Sequence, residues 1–284
     1  MKMVTVVVTG AAGYIAAQLV PVLAERYELR LLDVQDRDRD GNVVPGISIV
    51  RLDDPDLDSY REHFHGADGV VHLAYNKGPS GGFKSRGYEQ ERVNLDMAQH
   101  AYQLAMEEGI GRVVVASSNH ATDWYEHQIR TREVEMLGPE APRLSENWYG
   151  WAKAAYELMG FLYATGSQGS AVETVQLRIG APRPIRWADF ASDDRVGYKR
   201  DLGAYISPRD LGQLCLKSLE TDDIRNEHDI PFQAFYGISD NARAFWSLQN
   251  ARKVIGYAPQ DDSEVAFAAE IHAALIEPAC TGRL

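Results

Sequence analysis

The stretch that most limits what this chain can fold into is VVVTGAAGYIA, Val6 to Ala16. A β-branched run ends in two glycines three residues apart, and helical spacing follows at once. Met3 to Val8 reads as a strand buried on both faces, since such strands are continuously apolar rather than alternating. From Gly13 to Arg26, the residues Ile15, Leu19, Val22 and Leu23 fall on one side of a helix, with Pro21 a blemish capable of kinking it. Gly10 suits the tight turn between the two elements. Gly13 suits a close backbone approach at the helix N-terminus, where a pyrophosphate binds. The third place of this G-x-x-G-x-x-G spacing holds Ala16, whose single methyl still lets helix and strand lie close.

The rest of the first 180 residues repeats the alternation. ELRLLDV is a second strand ending in Asp33, GISIVRLDD a third and DGVVHLAY a fourth, with DPDLDSYREHF a short helix between the last two. Glu89 to Glu108 is a long helix, GRVVVASS a fifth strand, Tyr149 to Thr165 a helix and AVETVQLRIG a sixth strand. The expected fold class is α/β, a doubly wound parallel Rossmann sheet with right-handed crossovers. After Gly180 the pattern breaks, and residues 181–205 show no clear period. A helix from Pro208 to Leu219, a strand at FQAFYGIS and helices at Ser247 to Ile255 and Ser263 to Ile276 follow. Residues 1–180 are expected to form a dinucleotide-binding domain. Residues 181–284 would form a smaller substrate-binding lobe, partly interleaved with the first and covering the sheet's carboxyl edge.

Asp33 lies 23 residues beyond Gly10. A carboxylate there accepts hydrogen bonds from the adenosine ribose hydroxyls and repels a 2′-phosphate, which selects NAD over NADP. Asp53 or Asp54, after the third strand, is a candidate for the adenine amino group. The fifth strand ends in ASSNHA, and YGWAK, Tyr149 to Lys153, comes some thirty residues later. Tyr and Lys at i and i+4 share a helix face. A lysine ammonium beside a phenol favours the phenolate, so Tyr149 is expected to be a base with a lowered pKa, and Ser118 to hold the substrate oxygen.

A formal charge of −12 argues against a general nucleic-acid binder. No stretch reaches the 18 or so apolar residues of a membrane span. Cys215 and Cys280 have neither metal-ligand spacing nor disulfide density, so no metal is expected. Together these features point to a soluble cytoplasmic enzyme.

TGAAGYIA, Asp33, VVHLA, ASS and YGWAK together resemble the extended short-chain dehydrogenase/reductase family over almost the whole chain. ASSNH, RIG and FYGISDNARAFWSLQNARKVIGY are similar to its uronate dehydrogenases and related NAD-dependent sugar and sugar-phosphate dehydrogenases. The resemblance implies NAD-dependent oxidation of the anomeric carbon of an anionic hexose (a uronate, a hexose 6-phosphate or a 6-sulfo-hexose) to the lactone. It makes Tyr149 the base, Lys153 its activator and a ribose ligand, and Ser118 the hydrogen-bond partner. It puts Asn119 and His120 on sugar hydroxyls, Arg200 on a carboxylate, and Lys77 facing the pocket. Gly10, Ala12, Gly13, Tyr14, Ile15, Asp33, Asp53, Leu73, Ala74, Asn94 and Lys153 would meet the cofactor. It also implies a homo-oligomer built on the two long helices. The other activity of the family, a nucleotide-sugar epimerase or dehydratase keeping its NAD tightly bound, remains the alternative.

The chain departs from the uronate pattern in two places. Ala181 and Pro182 stand where those enzymes carry a serine that helps hold the carboxylate. The loop after the fourth strand is longer and more basic, with Lys77, Lys84 and Arg86. With Arg183, Arg186 and Lys199 it could cage a phosphate or sulfonate; the plainer reading is solvated loop charge. The aromatic group Trp124, Tyr125, Trp148, Trp151 and Trp187 reads as packing of the lobe rather than a sugar-stacking platform.

Overall fold

In the computed structural model, residues 4–78 and 86–276 are described. Seven parallel strands form one sheet in the order β3-β2-β1-β4-β5-β6-β7. They are β1 Thr5–Thr9, β2 Glu28–Asp33, β3 Ile47–Ile49, β4 Gly69–His72, β5 Arg112–Ser118, β6 Glu173–Ile179 and β7 Phe232–Gly237. The apolar run of β1 has a direct cause. Val6 and Val8 point into one core with Leu19, Leu23, Leu211 and Leu214, while Val7 points into the other with Ala98, Tyr102 and Tyr156. On the first face α1 (Tyr14–Ala24) packs on a helix at Pro208–Glu220; on the second α2 (Tyr88–Glu107) packs on one at Trp148–Ala164. Between these lie α3 (Glu126–Thr131) and α5 (Arg195–Ala204), making the two packed helices α4 (Trp148–Ala164) and α6 (Pro208–Glu220). The α/β doubly wound sheet expected from the sequence is the fold observed. β7 comes from beyond Gly180, yet it pairs with β6 in register Ile179↔Gly237.

The local differences have local causes. The short helix expected near residue 60 is two 3-10 turns, Leu57–Ser59 and Arg61–His63, the first held by the Asp56 carboxylate accepting from Asp58 N–H. α3 and α5 were not legible because each buries few apolar side chains; α5 begins where Asp194 accepts from Gly197 N–H at 2.8 Å. α1 continues through Pro21. The tail helix is broken at Phe267, which separates Ser263–Ala266 from Ala268–Ile271. Cys280 and Lys84 lie outside the described residues.

β1 has β2 on one side and β4 on the other, so the chain winds outward in both directions from it. In such sheets the crevice beyond the carboxyl ends of the central strands receives the ligand.

Candidate active site

The crevice is shaped first by Gly10. Its φ is +70°, and a Cβ there would stand 2.6 Å from Ala74 N and 2.7 Å from Leu73 C. Only glycine lets the turn after β1 press against the chain leaving β4. Thr9 completes the seam, accepting Leu73 N–H on its carbonyl at 3.1 Å and Ala74 N–H on Oγ1 at 3.3 Å. Gly13 caps α1, Tyr14 and Ile15 open it, and Ala16 is fully buried without disturbing it. Asp33 turns toward the same turn: Oδ2 accepts Ala12 N–H at 2.9 Å, and Oδ1 accepts Val34 N–H at 2.7 Å. A backbone cradle that any side chain would fill, with a carboxylate at the end of β2, fits an NAD diphosphate and ribose. Asp53 is held by Arg51 at 2.8 Å, which keeps its carboxyl below the usual range. Asn94 contributes indirectly: its amide accepts Asn76 N–H at 2.7 Å and donates to Asn76 O at 3.1 Å, so it fixes the loop after β4.

The reacting groups stand on β5 and α4. Ser118, at the end of β5, accepts His120 N–H at 3.2 Å and so starts the next turn. His120 Nδ1 meets Asp123 Oδ2 at 3.1 Å, and that same oxygen accepts Asn147 Nδ2–H at 2.7 Å. Asn147 also caps α4 through Gly150 N–H at 2.9 Å. Loop and helix are thereby locked together. A Cβ on Gly150 would lie 2.2 Å from His120 O, so the bare glycine permits this approach. Tyr149 is left edge-on to His120, with ring centroids 5.7 Å apart, and hydrogen-bonded to Ser118. One turn on, Lys153 Nζ donates to Ala116 O at 2.8 Å.

The electrostatics differ from the expectation that Lys153 lowers the phenol. Lys153 Nζ is 5.8 Å from the Tyr149 ring centre and tied to a carbonyl. Burial dominates both groups: it pushes Tyr149 up, against the Ser118 hydrogen bond, and pulls Lys153 down to about 7. Buried Glu91, on α2, opposes the fall of Lys153. Its Oε1 accepts Tyr75 O–H at 2.6 Å, and the Tyr75 ring stands edge-on to Tyr149 at 5.5 Å.

Among the residues expected to hold substrate, Asn119 is buried beside Ser118, and its Nδ2 lacks a partner among the described residues. Arg200 is already engaged. Its Nη2 and Nε donate to Glu126 Oε1 at 2.7 and 3.0 Å, and Nη1 to Asp201 at 3.1 Å. Lys77 is exposed. The expected basic cage divides: Arg183 and Arg186 line a cavity of about 300 Å³ with Tyr14 and Arg39, whereas Lys199 and Arg200 line another of about 450 Å³ with Glu126 and Arg243. The aromatic group divides too. Trp187 packs on Tyr198 at 5.2 Å, but Trp124, Trp148 and Trp151 are exposed, which corrects the reading of the whole group as packing. Sequence reading missed Thr9, Tyr75, Glu91, Asp123 and Asn147. Of these only Asn147 carried a signal, as an N-cap residue just before a helix.

A model of the NAD dependent epimerase/dehydratase family matches residues 6–179. The chain is 31% identical over 278 residues to an NAD-dependent glucose-6-phosphate dehydrogenase of Haloferax volcanii, covering 93% of this chain and 97% of that one. It is 28% identical to a uronate dehydrogenase of Pseudomonas syringae pv. tomato, over 90% of this chain and 74% of the relative. The crystal structure of a uronate dehydrogenase from Agrobacterium tumefaciens superposes with a TM-score of 0.71 at 25% identity, covering 98% of this chain and 92% of that one.

Proposed function

Because this chain belongs to the NAD-dependent epimerase/dehydratase family, we propose that it oxidises the anomeric carbon of an anionic hexose to the lactone and forms NADH. The observation that carries the reading is a convergence. The Tyr149 phenol, the Ser118 hydroxyl and the buried Asn119 amide, whose Nδ2 lacks a partner among the described residues, gather at the end of β5, on the same sheet as the glycine turn after β1 that fits NAD. Gly10, Gly13, Tyr14 and Ile15 hold the diphosphate, Asp33 the adenosine ribose, and Lys153 the second ribose. When bound, the oxidised dinucleotide supplies the hydride acceptor. Tyr149, ionised to the phenolate, takes the proton from the anomeric hydroxyl while Ser118 and Asn119 hold that oxygen, and His120, kept in place by Asp123, meets a neighbouring hydroxyl.

The functional assembly is a homo-oligomer in the cytoplasm, with residues 181–284 supplying the substrate side of the site. The test is absorbance at 340 nm with NAD and a panel of glucuronate, galacturonate, glucose 6-phosphate, a 6-sulfonated hexose and glucose. Turnover is expected with at least one anionic hexose. Tyr149→Phe should lower kcat by about 10²- to 10⁴-fold while leaving NAD binding intact. Unchanged turnover in that variant sinks the mechanism, and silence of the wild type across the panel turns the assignment to an epimerase that returns its hydride.

A further inference from the structure

Arg200 commits three of its five N–H donors to two carboxylates, but a second arginine stands close to the reacting pair. Arg86 exposes only 7% of its side chain, an unusual burial for a guanidinium. Nη1 donates to Tyr75 Oη and lies 3.5 Å from Glu91 Oε1. That carboxylate is already occupied, Oε1 by Tyr75 O–H and Oε2 by Asn94 Nδ2–H at 3.2 Å. Arg86 Nε–H is buried and meets no acceptor among the described residues. A buried charged donor without a partner is costly, and a ligand acceptor removes that cost.

The position also fits. The Tyr75 ring, whose hydroxyl Arg86 holds, is edge-on to Tyr149 and 4.8 Å from Lys153 Nζ. The charge of Arg86 is felt at both Tyr149 and Lys153, lowering each. The Arg86 guanidinium balances the single charge of Glu91, and below about pH 7 protonated Lys153 adds a further positive charge, so an anion entering there meets a net positive field. Arg200, by contrast, faces Glu126 and Asp201 together.

We propose that Arg86 is the residue that binds the anionic group of the substrate, with Arg200 a structural arginine. The inference rests on the sugar dehydrogenase reading. Its test measures NADH formation from the best anionic hexose and from neutral glucose with wild type, Arg86→Gln, Arg86→Lys and Arg200→Gln. It is paired with calorimetric titration of the same anionic hexose into the protein·NADH complex. Arg86→Gln should lose about a hundredfold in kcat/KM for the anionic sugar, chiefly through KM, and less than about threefold for glucose. Arg86→Lys, which keeps the charge but not the fork, should fall between. Equal losses on charged and neutral sugars, or a larger selective loss in Arg200→Gln, overturn the proposal. Sugar binding that depends on Arg86 without any NAD reduction would remove the dehydrogenase reading and leave Arg86 standing. Anion binding that ignores Arg86 would remove the proposal alone, and no anion binding by the wild type would remove both.

Discussion

Lys153 keeps only 4% of its surface exposed, and burial pulls its pKa from 10.5 to about 7. Between those values the unfolded chain holds a proton that the folded chain has released. Unfolding therefore takes up a proton, and the contribution of Lys153 to stability rises with pH from about 7 toward 10.5 and is lost as pH falls back to 7. The slope approaches about 1.4 kcal/mol per pH unit in mid-window. Urea titrations at pH 7.5, 8.5 and 9.5 should show this climb in wild type and a flatter profile in Lys153→Met. Parallel profiles would mean that Lys153 stays charged in its pocket. The identity of such a residue was readable from the chain, since Tyr149 and Lys153 share one helix turn and Ser118 ends a strand. Its environment was not. Glu91 and Tyr75 reach the site from α2 and from the loop after β4, and only the fold brings them to Lys153.

At the scale of elements, the reacting helix is set by its first residue. Asn147 caps α4 through Gly150 N–H and, through its amide donor, steadies the Asp123 carboxylate that holds His120. These two roles can be separated. Asn147→Ala should cost about 1–2 kcal/mol and lower Tm by a few degrees, with reduced kcat on any sugar turned over. Asn147→Ser restores a capping oxygen but no donor to Asp123. Calorimetry should then show most of the stability regained while kcat stays low. Recovery of both together would reduce Asn147 to a simple cap. The elements themselves were legible wherever period and burial agree: β1, β5, α2 and α4 each bury a continuous run or stripe. Where the chain lies on the surface, hydrogen bonding alone chooses the turn. The 3-10 turns after Asp56 and the helix after Asp194 were therefore missed or misread.

At the scale of the whole molecule, the outer face of α4 is uncovered among the described residues. Trp148, Trp151, Leu158 and Leu162 follow at spacings of three, seven and four, a single helical stripe, and Leu158 is 59% exposed. Tyr88, at the start of α2, joins it, 5.6 Å from Trp148 and 5.9 Å from Trp151. An apolar ridge of this kind on two packed helices is costly in water, and a two-fold axis can pair it with its own copy. Pairing α2 and α4 with the same helices of a second copy would bury it as a four-helix bundle. Sedimentation velocity at micromolar concentration should accordingly give a species of twice the 31.6 kDa chain. Trp151→Glu combined with Leu158→Glu places two like charges per chain across that axis and should yield monomers, since unpaired charges at a buried interface cost several kcal/mol. The site faces the sheet's carboxyl edge while the ridge lies on the outer face of α4, so the charged double variant should retain NAD binding. A wild type that sediments as a monomer at these concentrations would leave the stripe as exposed surface and remove the oligomer from the functional unit.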